Sequence, residues 1–125
     1  MGTGVAVVTH YDNGARTERL IRDWLHDHGY AVVKAGGSKG AADLVAFRRG
    51  FVLFVQVKRT NAQLPPAERA SLLALADILG SHIAVPVVAT KPARKPISAR
   101  VLTGPGPKDW LPWEPHNATG RGVWG

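Results

Sequence analysis

The 125-residue chain contains no cysteine. Disulfides, thiol catalysis and cysteine-ligated zinc are therefore excluded, and nothing can be read about redox compartment. No apolar run approaches the length needed to cross a bilayer. The opening residues, MGTGVAVVTHYDNG, have no basic start and only a short apolar stretch, which argues against a secretory signal and for a cytoplasmic setting. There is no internal repeat and no low-complexity segment. Among the five histidines the closest pair is His26 and His28, and residues two apart on a helix face away from each other. The glycine-rich stretches GTG and GGSKG lack P-loop spacing, so nucleotide binding is discounted. Acids are also scarce, with nine Asp and Glu against sixteen Lys and Arg.

The resulting net charge of +7 is unevenly placed. Residues 34–60 hold Lys34, Lys39, Arg48, Arg49, Lys58 and Arg59 against a single acid, Asp43. Residues 91–100 add Lys91, Arg94, Lys95 and Arg100. Clustered positive charge attracts a polyanion by releasing its counterions. The plainer alternative is a basic solvated surface without a partner. An apolar content of 45% in 125 residues suits one domain with one core.

Residues 14–28 predict a helix whose apolar face carries Ala15, Leu20, Ile21, Trp24 and Leu25. Gly29 suits the left-handed position after its last turn. YAVVKA (30–35), ADLVAFRR (42–49) and FVLFVQVKR (51–59) predict three strands, the last two joined at Gly50 as an antiparallel hairpin. QLPPAERASLLALADILG predicts a second helix with Pro65 and Pro66 at its start and Leu72, Leu73, Ala76 and Leu79 as its buried stripe. HIAVPVVAT predicts a fourth strand, where Pro86 points to an edge or an irregularity, and PISARVLT suits a fifth. The expected fold is an α/β domain over residues 1–103, a mixed central sheet flanked by helices in the order αβββαβ. Residues 104–125, dense in Gly, Pro and Trp, read as an irregular tail that packs through Trp110 and Trp113.

The hairpin gathers the polar residues of interest. Alternation along FVQVK puts Phe54, Gln56 and Lys58 on one face, and Asp43 opens the neighbouring strand about 5 Å away. A carboxylate and an amide oxygen are the donors hard divalent cations take. Lys58 could orient an attacking water or neutralise charge on a phosphate. Taken without Gln56, Asp43 and Lys58 suit a solvated strand end and a surface lysine. Gln56 shifts the balance, because an amide among Val and Phe costs free energy unless it meets a partner or solvent.

GARTERLIRDWLHDHGYAVVKAGGSKGAADLVAFRRGFVLFVQVKRT, residues 14–60, resembles the core of the PD-(D/E)XK nucleases. More narrowly it resembles the archaeal-type Holliday junction resolvases and related phage-type nucleases. The likeness rests on an ordered set: a helix glutamate, a GS loop, DLVA and QVK. It implies a restriction-endonuclease-like core and a magnesium- or manganese-dependent endonuclease. Glu18 matches the helix glutamate near the metal, although it could simply pair with Arg22 one turn on. Ser38 matches a loop serine near the scissile phosphate, in a loop shorter than in the archaeal enzymes. Asp43 matches the metal-binding aspartate and Lys58 the catalytic lysine. Gln56 departs from the archaeal glutamate, and Ala42 stands where the motif has proline. The implied metal set is Asp43, Gln56 and Glu18, with Glu18 restoring the charge that Gln56 lacks. Arg16, Lys39, Arg48, Arg49 and Arg59 would track phosphates. Two symmetric cuts on a four-way junction would call for a two-fold homodimer, to which Trp110 and Trp113 could contribute. Two alternatives stay open: a nuclease for another DNA form, and a DNA-binding module made inert by Gln56.

Overall fold

A computed structural model describes residues 10–35, 41–60 and 63–115. They form helix α1 (His10–Asp27), strands β1 (Ala31–Lys34), β2 (Leu44–Arg48) and β3 (Phe51–Lys58), helix α2 (Pro66–Leu79), then β4 (Ala84–Thr90), β5 (Ser98–Leu102) and β6 (Trp110–Trp113). All six strands lie in one mixed sheet in sequence order; only β3 and β4 run parallel, with α2 as the crossover between them.

Strand alternation sorts the sheet into two faces. In β3, Phe51, Leu53 and Val55 are buried and face α1, where they meet Ile21 and Leu25. Phe54 faces the other way and packs with Leu64, Leu72 and Val88 under α2. The buried stripe of α1 is Thr17, Ile21 and Leu25, with Trp24 half-buried beside it. Ala15 and Leu20, expected in that stripe, are exposed, because the face is turned toward Thr17. In α2 the stripe is Arg69, Leu72 and Ala76, and Leu79 is exposed at the helix end. Gly29 has φ +90°, and its N–H caps His26 O at 3.0 Å, so only a residue without a Cβ closes α1 here without strain.

Pro86 lies in an interior strand, between β3 and β5. Pairing of β4 with β5 starts only at Val87, so at Pro86 the strand has a neighbour on the β3 side alone and is locally an edge, the irregularity its proline suggests. One expectation is corrected, that of the region read as an irregular tail: Trp110–Trp113 is a sixth strand, antiparallel to β5. Its Pro112 is tolerated because β6 is an edge strand. The segment before it is tied by Asp109, whose Oδ2 accepts the Gly106 N–H at 2.8 Å and whose carbonyl accepts the Thr103 N–H at 2.9 Å. The Gly-Pro alternation of 104–107 is thus a tight turn between paired strands. Trp113 is 3% exposed and sits edge-on to Trp24 at 6.3 Å, so it belongs to the protomer's own core and is not available to a dimer interface.

Candidate active site

At the carboxyl ends of the parallel pair, Lys58 stands beside Thr90, and the Lys91 N–H bonds Lys58 O at 3.3 Å. Chain direction puts the start of α2 and the start of β2 at this same end, and ligand crevices of open α/β sheets form outside such strand ends.

Asp43 occupies the last step before β2. Its N–H donates to Val55 O at 2.8 Å, and its carbonyl accepts the Ala35 N–H at 2.9 Å. Its Oδ2 accepts the Val57 N–H at 2.8 Å. The side chain therefore takes a place in the ladder, and the carboxylate is pinned against β3 between Gln56 and Lys58. Burial raises the Asp43 carboxyl above the ordinary carboxylate range; the Val57 N–H and Lys58 oppose the rise, while Glu18 and Glu68 add to it. Those influences map the neighbourhood: Asp43, Glu18, Glu68 and Lys58 share one electrostatic environment.

Glu68 was not singled out from the sequence. It stands in the first turn of α2, and its Oε1 lies 2.8 Å from Lys58 Nζ. The available signal was the run PPAE, in which a proline-started helix puts an acid in its first turn. Glu18 pairs with Lys34 at 3.1 Å and not with Arg22, which meets Asp23 at 3.8 Å. Gln56 is half-buried on the α2 face beside Val88, and its amide makes no hydrogen bond to another described residue.

The predicted phosphate contacts divide. Arg16 and Arg59 line one groove of about 450 Å³ with Thr17, Thr60 and Lys91, next to Lys58. Lys91, counted in the second basic cluster, joins them there. Arg48 and Arg49 sit at the far end of the hairpin, about 17 Å or more along β2 from Asp43. Arg48, expected to track phosphates, makes two contacts within the chain. Its guanidinium lies 5.4 Å from the Tyr30 ring centroid and Nη1 donates to Pro115 O at 3.5 Å, so it ties β2 to the segment after β6. Replacing Arg48 with Ala is expected to cost about 0.5–1 kcal/mol of stability, the scale of such a cation–ring contact, and to leave catalysis nearly unchanged. Denaturant unfolding and a cleavage assay check this together; a large loss of cleavage in a well-folded variant would restore Arg48 to the DNA path. Ser38 and Lys39 lie outside the described residues.

Among the described residues, no three His, Asp or Glu side chains come together as a ready metal cage. The donors present, the carboxylates of Asp43 and Glu18 and the Gln56 amide oxygen, are hard and few. That set fits magnesium, which keeps several waters and takes one or two carboxylates, better than a metal needing an all-protein shell. Among the described residues, no helix is long and apolar enough to cross a membrane.

A family model described as archaeal Holliday junction resolvase matches residues 9–104. The crossover junction endodeoxyribonuclease Hjc of Methanocaldococcus jannaschii is 33% identical over 73 residues, 56% of this chain and 54% of that protein. The chain thus spans about half the length of that curated relative. The solved structure of Archaeoglobus fulgidus Hjc, a Holliday junction resolvase from an archaeal hyperthermophile, superposes with a TM-score of 0.58 at 26% identity, covering 70% of each chain.

Proposed function

The chain belongs to the archaeal Holliday junction resolvase family, within the PD-(D/E)XK nuclease superfamily, and on that premise we propose that it is a metal-dependent endonuclease that hydrolyses phosphodiesters at four-way DNA junctions inside the cell. The observation that carries the proposal is the Asp43 carboxylate, fixed at 2.8 Å on the Val57 N–H between Gln56 and Lys58. Asp43 and Glu18, with the Gln56 oxygen, would hold magnesium or manganese. Such an ion, when bound, polarises a phosphate and lowers the pKa of a coordinated water. Lys58 neutralises charge that builds on the phosphate, and Glu68 holds its ammonium in place. Arg16, Arg59 and Lys91 line the path of the backbone and contribute affinity without base specificity. The working unit is a homodimer, since a junction is cut symmetrically on two strands. Exposed Ile78, Leu79 and Ile83 around the end of α2 offer apolar surface for it.

The decisive assay uses labelled four-way junction, linear duplex and flap DNA, with magnesium, manganese or chelator. Symmetric cuts confined to the junction are expected, and chelator should abolish them. Cuts on duplex or flap would move the assignment to another nuclease of the same fold, and tight binding without cutting would make the chain a non-catalytic binder. Gln56→Glu adds a carboxylate to the metal set. We expect it to keep cleavage and to tighten magnesium binding by about tenfold, the scale of one added charge near the ion, read by calorimetric titration. Loss of cleavage in that variant would show that the amide has a role a carboxylate cannot fill.

A further inference from the structure

On the α2 side of the sheet a second cavity, of about 410 Å³, lies over β4, β5 and β6. Val88, Thr90, Ser98, Arg100, Trp110 and Pro112 line it. Its register ties it to the active site: Gln56 pairs with Val88, Val88 with Arg100, and Lys58 with Thr90, which pairs with Ser98. Arg100 is therefore two strands, about 10 Å, from Gln56. That distance is within the reach of a few nucleotides of one strand.

The cavity has the chemistry of a nucleotide. The Arg100 guanidinium stands 5.5 Å from the Trp110 ring centroid, and Trp110 keeps 41% of its surface exposed on the edge strand. Thr90 Oγ1 and Ser98 Oγ, 3.0 Å apart, add hydroxyls to the wall. Arg69 of α2 is close enough for its charge to bear on Arg100. Arg69 is 4% exposed, its Nε is buried without a hydrogen-bond partner, and an Nη2 bond to Gln63 Oε1 at 3.3 Å engages only its other end. Two guanidiniums near each other repel, and burying one with an unpaired donor is costly unless an anion shares the site. An indole beside an arginine is the combination that stacks a base while its phosphate is held.

We propose that the β4–β5–β6 cavity is a substrate subsite in which Arg100, backed by Arg69, holds a phosphodiester within a few nucleotides of the cut and Trp110 stacks an unpaired base. The subsite rests on the junction-nuclease reading and sharpens it: it favours junctions whose bases near the crossover are open. Wild-type full-length protein is compared with Arg100→Ala, Trp110→Ala and Trp110→Phe. The probes are a junction carrying 2-aminopurine near the cut and single-stranded tetrathymidylate. Arg100→Ala should weaken junction binding about tenfold and lower the salt slope of log Kd by about one. Trp110→Ala should lose the 2-aminopurine response and about tenfold in tetrathymidylate affinity, and Trp110→Phe should recover most of both. Wild-type affinity and salt slope in both alanine variants would overturn the subsite. So would an affinity loss that tracks a fall in mass by light scattering, which would make this cavity a contact with a second copy. If the wild type ignores junctions but binds tetrathymidylate through Arg100 and Trp110, the subsite stands and the junction reading falls. If the wild type binds neither probe, both fall.

Discussion

Asp43→Asn is expected to lower junction cleavage by about a thousandfold or more while raising the thermal stability of the metal-free protein. The loss follows from removing the one carboxylate that touches both the sheet backbone and the site; charge stabilisation of this kind is worth several kcal/mol at a reacting phosphate. The gain follows from what the ionised group costs the fold. Burial is the main reason the Asp43 carboxyl is raised, and Glu18 and Glu68 add repulsion that the Val57 N–H and Lys58 only oppose. An acid whose folded pKa is raised supports stability below its unfolded pKa, and that support is lost as pH rises through the folded value. At neutral pH wild-type Asp43 is therefore a net burden. Asn keeps an oxygen for the Val57 N–H and sheds the charge. Melting curves across pH should show the two proteins converging in acid and the variant above the wild type near neutrality. Magnesium should raise the wild-type melting temperature and leave that of Asp43→Asn unmoved. An Asp43→Asn protein that melts below the wild type at neutral pH would refute the burden, and one that still cuts junctions would refute the site.

The difference between what the sequence reveals and what it hides is physical. The helix and hairpin around residues 14–60 were legible because period-3.6 and period-2 patterns follow directly from burial, and because Gly29 and Gly50 punctuate them. Asp43, Gln56 and Lys58 were legible as a group because strand pairing converts sequence alternation into adjacency. Strand β6 was not legible: a four-residue edge strand containing Pro112, just after the Gly-Pro turn of 104–107, carries too little pattern to stand apart from loop. Its pairing comes from Trp113 filling a hole between Trp24 and Tyr30, a contact nearly ninety residues apart in sequence. Glu68 was hidden for a related reason. Its place beside Lys58 depends on how the crossover returns helix α2 to the strand end, and no local spacing encodes that. Arg48 shows the converse. Charge clustering marks a basic region but cannot tell a side chain that reaches solvent from one that packs its charge on Tyr30.

Lys58→Ala should reduce the cleavage rate by about a hundred- to a thousandfold with junction affinity changed by no more than about threefold, the pattern of a group that acts on developing charge. The alternative is that Lys58 and Glu68, 2.8 Å apart, form an ordinary surface ion pair. A pair of that kind is worth about 0–1 kcal/mol, and its loss would be seen in stability alone. Glu68→Gln separates the two. It keeps the side-chain length and removes the charge that fixes the Lys58 ammonium, so Glu68 as a positioning residue predicts a fall in kcat, on the order of tenfold, without a change in KM. The pH profile gives a second, independent readout. After burial and the Val57 N–H, the Asp43 carboxyl responds to Glu18, Lys58 and Glu68, with Glu68 raising it and Lys58 lowering it. Cleavage that needs ionised Asp43 rises with pH through that group's pKa. Glu68→Gln should therefore shift the rising limb to lower pH, and the residual activity of Lys58→Ala should shift it to higher pH. Shifts in the same direction, or none in either variant, would mean that these side chains do not share the environment of Asp43 during the reaction. Opposite shifts would tie the strand lysine, the helix acid and the pinned aspartate into one working site.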